Sequence, residues 1–254
     1  MTVVFIGDVH QQWGLIEAGL AALEAPPDHA VLLGDIQCDR TLDELAAPLL
    51  ARGIAVSWIF GNHDNDGGPE MWANLAEPSR NPRTAPGAVH GRVLEIGGIR
   101  VAGLGGTFRP RVWEPPEPPR LFAREQLPAD LAAMAGHWPA SHLAALAHSL
   151  GIAAIWPEDV ERLSALRADI LVSHEAPGSH PAGKAVIDDL ARRMGAHLII
   201  HGHHHVNYRA DARDGLHVLG VASAWGVLQD GAVLWPGERP RPMGRLNVGW
   251  RLRD

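Results

Sequence analysis

The chain has a single cysteine, Cys38, among 254 residues. An intramolecular disulfide is excluded, and so is any CxxC zinc or thioredoxin-like pair. A run of eighteen or more apolar residues is also missing, which leaves no candidate for a membrane-spanning helix. The start, MTVVFIGDVH, carries no basic region ahead of its short apolar run. No secretory leader is therefore expected, and the expectation is a cytoplasmic protein. Nor is there an excess of basic residues: the formal net charge is -7. Such a chain has no overall field that draws nucleic-acid duplexes or an anionic membrane.

Hydrophobic residues make up 46% of the chain, ample for a sizeable core. The length suits one α/β domain spanning 1–254. Histidine stands out, with fifteen copies, and their placement is what carries information.

Short apolar runs recur along the chain: residues 2–6 (TVVFI), 30–33 (AVLL), 54–60 (IAVSWIF), 169–173 (DILVS) and 197–200 (HLII). Each reads as a buried strand. Between them, residues 13–25, 41–52 and 182–194 carry helical spacing, with Thr41 an N-cap and Glu44 placed for a capping box. Strand alternating with helix predicts parallel βαβ units. Residues 89–96 and 99–104 flank Gly97-Gly98, a hairpin signal. From about 107 to 165 the character changes. The stretch opens with RPRVWEPPEPPR, whose prolines exclude regular helix or central strand, and continues into Ala- and Leu-rich helical segments. It is expected to be an insertion that caps a site, the alternative being a helical decoration remote from any chemistry. Residues 206–235 read as short antiparallel strands. The Pro- and Arg-rich last twenty residues fit an ordered arm or a frayed tail.

The strands end on residues that bind metals. The first ends at Asp8-x-His10, the second at Asp35 and the third at Asn62-His63-Asp64. Two later ones end at His174 and at His203-x-His205. In a parallel sheet the carboxyl ends lie on one edge, so residues two hundred positions apart converge on one crevice. Carboxylate, amide oxygen and imidazole together suit borderline divalent ions. A pair of such ions serves in-line displacement at phosphorus.

The set Gly7-Asp8-Val9-His10, Gly34-Asp35, Gly61-Asn62-His63-Asp64, His174 and Gly202-His203-His204-His205 resembles the calcineurin-like metallophosphoesterases. The resemblance runs from residue 3 to about 206. It implies a β-sandwich of two mixed sheets flanked by helices, and two metal ions of the Mn, Fe or Zn type. Asp8, His10 and His205 would hold the first ion, and Asn62, His174 and His203 the second, with Asp35 bridging. His63 would protonate the leaving oxygen, and Asp64 would hydrogen-bond His63 and fix its tautomer. Attack by a metal-bridging hydroxide, without a covalent phosphoenzyme, follows from the same resemblance. The second motif reads Gly34-Asp35-Ile36-Gln37-Cys38-Asp39-Arg40, which departs from the GDxVDRG of the protein Ser/Thr phosphatases, and GNHD replaces their GNHE. A dedicated protein phosphatase is therefore not expected.

Arg40, Arg109 and Arg111 are candidate phosphate contacts, because guanidinium suits bidentate recognition of phosphate; a solvated surface charge is the alternative for each. Gly178 to Ala185 resembles a P-loop, but Ala185 stands where Ser or Thr must bind magnesium. A helix-initiating loop is expected there, with Lys184 as a phosphate contact the alternative. His201 and His204 are expected to be structural or solvent-facing. The expected activity is hydrolysis of a phosphodiester in a small phosphorylated substrate. A phosphomonoesterase, phosphoproteins included among its substrates, and a non-catalytic interaction module on the same fold are the alternatives.

Overall fold

The computed structural model describes residues 1–253. The strands are β1 (Val3–Ile6), β2 (His29–Leu32), β3 (Ala55–Trp58), β4 (Val93–Ile96), β5 (Ile99–Leu104), β6 (Ile170–Ser173) and β7 (Leu198–His201). They continue with β8 (Tyr208–Ala212), β9 (His217–Gly220), β10 (Gly226–Val227), β11 (Val233–Trp235) and β12 (Trp250–Leu252). They form two mixed sheets, ordered β11-β10-β1-β2-β3 and β12-β8-β9-β7-β6-β5-β4. The helices are α1 (Trp13–Ala21), α2 (Leu42–Leu45), α3 (Ala47–Ala51), α4 (Pro69–Ala76), α5 (Leu127–Ala132), α6 (Ala140–Ala153), α7 (Pro157–Ser164) and α8 (Ala185–Met194). Among the described residues no helix is long and apolar enough to cross a membrane.

The period-two alternation of the strands explains the sandwich. Phe5, Val31 and Ile59 of the first sheet meet Val172, Ile200 and Leu219 of the second in one buried layer. Their neighbours Val4, Ile6, Leu32 and Trp58 point the other way, into a layer with Ile16, Leu20 and Leu49. Leu171 and Ile199 likewise pack outward against Leu163, Ile187 and Leu190. Both faces of the central strands are therefore covered, which is why they read as unbroken apolar runs.

The parallel units hold: β1, β2 and β3 pair in register from Val3, His29 and Ala55 to Ile6, Leu32 and Trp58. The hairpin at Gly97-Gly98 is formed, with Ile96 opposite Ile99. Both hairpin strands lie in the second sheet, so the chain crosses between the sheets in the connection from β3 to β4, residues 59–92. The helix expected over 41–52 is two short pieces, α2 and α3, separated at Ala46 with Pro48 starting the second. Thr41 caps the first, its hydroxyl accepting from Glu44 N. The helix expected from residue 182 begins at Ala185 and ends at Gly195, which adopts the left-handed conformation of a helix stop.

Residues 107–165 hold α5, α6 and α7 around a core of their own, built on Val112, Leu121, Leu131, Leu150 and Trp156. Arg124 and Arg162 close on the fully buried Asp159, each at 2.7 Å. The C-terminal residues form an ordered arm: β12 pairs with β8.

Candidate metal centre

Because β1, β2 and β3 run in register, the loops that follow them leave the sheet at one level. Asp8, Asp35 and Asn62 leave from this edge. β6 and β7 are also parallel and in register, Ser173 opposite His201, and they deliver His174, His203 and His205. The centre therefore sits on the seam between the two sheets.

Three groups of donor atoms form there, one of which, Glu175, His203 and His204, shares His203 with another. Asp8, His10 and His205 offer one set, and Asp35, His174 and His203 another, each with its atoms within 4.8 Å of one another. His174 Nε2 also lies 3.2 Å from Asn62 Oδ1. Asp35 reaches both sets: its Oδ2 is 3.6 Å from His10 Nε2 and 3.3 Å from His174 Nε2. A carboxylate so placed fits a bridging role.

The backbone is bent to make this arrangement. His10, Asp35, His203 and His205 all have positive φ, as does Gln37. Such conformations cost about 1–3 kcal/mol for residues with side chains, and they cluster where the surrounding structure over-determines them. Gly34 is required at its position, since a Cβ there would stand 2.6 Å from His174 Nδ1.

Hydrogen bonds fix the imidazoles. His174 Nδ1–H donates to Leu33 O at 2.8 Å, and His10 Nδ1–H donates to Gln37 Oε1 at 2.9 Å. In both rings this leaves the lone pair of Nε2 facing the centre, free to bind a cation. His10 Nε2 and His205 Nε2 face each other at 3.1 Å. Burial, helped by neighbouring positive charge, lowers His203 to about 3 and His205 to about 4, so both are neutral ligands at pH 7.

The centre demands positive charge. Burial drives the Asp8 carboxyl up, and Asp35 pushes the same way against the pull of His174. For His174, burial is outweighed by Asp35 and Asp8, which raise it to about 10. Two buried carboxylates beside imidazole nitrogens and an amide oxygen fit a pair of divalent cations in charge and in chemistry. Neither carboxylate has an arginine or lysine partner among the described residues.

Several expected roles are redistributed. Asp64 does not bond the His63 ring. It is buried, and its carboxylate accepts from Gln37 N and Gly61 N, both at 2.7 Å. It thus ties the second and third ligand loops together. His63 Nδ1 instead pairs with Asp66 Oδ2 at 2.6 Å, and both side chains face solvent. Arg111 is held by Asp130 at 3.0 Å within the 107–165 segment. Arg40 is exposed beside Asp39, at 3.9 Å. The Arg109 backbone bridges to Trp113, and neither it nor the other two contacts a metal-centre side chain among the bonds of the described residues. Lys184 is paired with Glu114. His201 is a core residue, bonded to Tyr208 Oη at 2.8 Å, whereas His204 stacks on His180 with ring centres 3.9 Å apart.

The P-loop-like stretch is an ordinary loop anchored by a buried carboxylate: Gly178 N donates to Asp188 Oδ1 at 3.0 Å. Burial pushes Asp188 up to about 7. A raised folded-state pKa means that stability is lost as pH rises from the ordinary carboxylate range, near 4, through 7. Asp188→Asn keeps the acceptor and removes the charge. It is expected to match the parent protein in denaturant melts at pH 4 and to exceed it by about 2 kcal/mol at pH 8. Equal stabilities at pH 8 would show that Asp188 ionises without cost.

Comparison with known proteins fits this geometry. Residues 1–207 match the model of the calcineurin-like phosphoesterases. The chain belongs to this family of metal-dependent phosphoesterases. An uncharacterized protein of Haemophilus influenzae is 36% identical over 212 residues, covering 81% of this chain and 84% of that one. Among solved structures, a dimetal phosphatase from Danio rerio is similar with a TM-score of 0.55 at 15% identity, over 92% of this chain and 90% of that one. A Thermus thermophilus protein is similar with a TM-score of 0.52 at 14% identity, over 91% and 96%. These two likenesses concern the fold, the same two mixed sheets flanked by helices.

Proposed function

We propose that this protein hydrolyses a phosphodiester bond in a small substrate, and that His63 is the general acid. The observation that carries the reading is the pair of donor sets joined at Asp35, with one solvent-facing imidazole, His63, at their mouth. When bound, a metal pair supplies a water nucleophile at neutral pH and offsets charge on the phosphoryl oxygens. The chain does the rest. Asp66 holds His63 Nδ1, which leaves Nε2 to give its proton to the departing oxygen. His10 stands next to His63, with ring centres 5.6 Å apart, so the acid lies within reach of a phosphoryl group at the centre.

A diester needs room for a group on each side of phosphorus. The mouth is open enough: His10, His203, His204 and His205 are only partly buried, and His63 is exposed on its side. We read the 107–165 segment as the cap that limits substrate size. Its tie to the centre is Phe108 N–H, which donates to the Glu175 carboxylate beside His174. The test is turnover of bis-p-nitrophenyl phosphate against p-nitrophenyl phosphate, on metal-stripped protein reloaded with manganese. The diester is expected to be preferred by at least about tenfold in kcat/KM, a difference of about 1.4 kcal/mol in transition-state binding. Preference for the monoester would make the protein a phosphatase instead.

A further inference from the structure

The family match ends at residue 207, yet the chain returns to the metal centre some thirty residues later. After β11 it runs as a strap over residues 236–247. Glu238 N–H donates to Ser223 O at 2.9 Å, and Ser223 Oγ–H donates to Asp8 O at 2.9 Å. Trp225 Nε1–H donates to Glu238 O. At the far end Asn247 Nδ2–H donates to Gly178 O and to His180 O, at 3.0 and 2.7 Å. Between these pins, Arg241 N–H donates to His205 O at 2.8 Å. Pro240 and Pro242 flank Arg241 and restrict the backbone on both sides.

The Arg241 side chain is exposed, and its backbone is bonded to His205, one residue of the first donor set. Arg111, Lys184 and Arg124 are each neutralised by a carboxylate, whereas Arg241 has no carboxylate partner among the described residues. An exposed arginine pinned through its backbone to a residue of a phosphoryl-binding site can offer paired donors to an anionic oxygen there.

We propose that Arg241 is a specificity-determining residue that binds a second phosphate of the substrate, next to the scissile diester. The proposal rests on the phosphodiesterase reading for the class of bond, but the cation site itself does not. The substrate class it names is a small diester bearing a further phosphate monoester. A plain diester would leave this cation without a partner.

The experiment compares thymidine 5′-(p-nitrophenyl phosphate) with the same compound carrying a 3′-phosphate, on manganese-loaded wild type, Arg241→Gln and Arg241→Lys. In the wild type the added phosphate is expected to lower KM by about tenfold or more, as charged hydrogen bonds do. Arg241→Gln erases that ratio, and Arg241→Lys restores part of it. A ratio between two substrates is insensitive to the fraction of folded protein, so loosening of the strap alone does not mimic the result. Inorganic phosphate binding to the same manganese-loaded proteins, measured by calorimetry, requires no turnover. It is expected to weaken about tenfold in Arg241→Gln. An unchanged KM ratio together with unchanged phosphate affinity overturns the role of Arg241. Hydrolysis of neither diester, with phosphate affinity still dependent on Arg241, overturns the diesterase reading and leaves the cation site standing.

Discussion

Replacing His63 with alanine is expected to leave two metals bound and to slow turnover by about 10²–10⁴ for diesters with poor leaving groups. Among the described residues the ring touches neither donor set through a hydrogen bond, and its one side-chain partner is Asp66, at 2.6 Å. Metal retention and loss of rate should therefore separate. Activated aryl esters leave without needing a proton, so the loss should shrink toward unity as leaving-group pKa falls. The measurement is kcat/KM across esters that span several units of leaving-group pKa, with metal content determined on the same samples. Uniform slowing across the series would exclude general acid catalysis by His63. Asp66→Asn should show the same dependence on leaving group in weaker form, since it loosens the ring without removing it. Asp64→Asn should not, because Asp64 joins the loops around Gly61 and Gln37 instead.

The second large effect concerns Asp35. Its carboxylate approaches His10 and His174, one from each donor set. Asp35→Asn is expected to abolish binding at both positions and to reduce turnover by at least about three orders of magnitude, since the water nucleophile is then no longer activated. His205→Ala belongs to one set only, so one ion should remain after dialysis. Metal stoichiometry by emission spectrometry distinguishes the two variants. Two ions retained by Asp35→Asn would remove the bridging assignment.

The strand ends were legible in the sequence because burial on both faces leaves an unmistakable apolar run, and each run stops on a polar residue at Asp8, Asp35, Asn62, His174 or His203. The division into two sheets was not legible from periodicity. β3 and β5 look alike as strands, and the chain crosses between the sheets in the connection from β3 to β4, which has no periodic signature. Asp66 was missed because Asp64 adjoins His63 in sequence. The tight turn after Gly61 brings position 66 round to His63 instead, and the i, i+3 spacing was the available signal. Gln37 was missed for a different reason: its positive φ, at a residue with a side chain, has no sequence signature. Arg241 lay beyond any motif, and the path of a strap without regular structure depends on the individual hydrogen bonds at Ser223, His205 and His180.

The seam location of the centre has a thermodynamic consequence. One sheet supplies Asp8, Asp35 and Asn62, and the other supplies His174, His203 and His205, so an ion that binds both clamps the sandwich shut. Whatever binds the folded chain and not the unfolded one stabilises it by mass action, by about 2.7 kcal/mol at a free concentration a hundred times Kd. Occupancy and sheet-to-sheet packing then form a single equilibrium. Slack introduced between Phe5 and Ile200, which pack in the layer between the sheets, registers as weaker metal affinity.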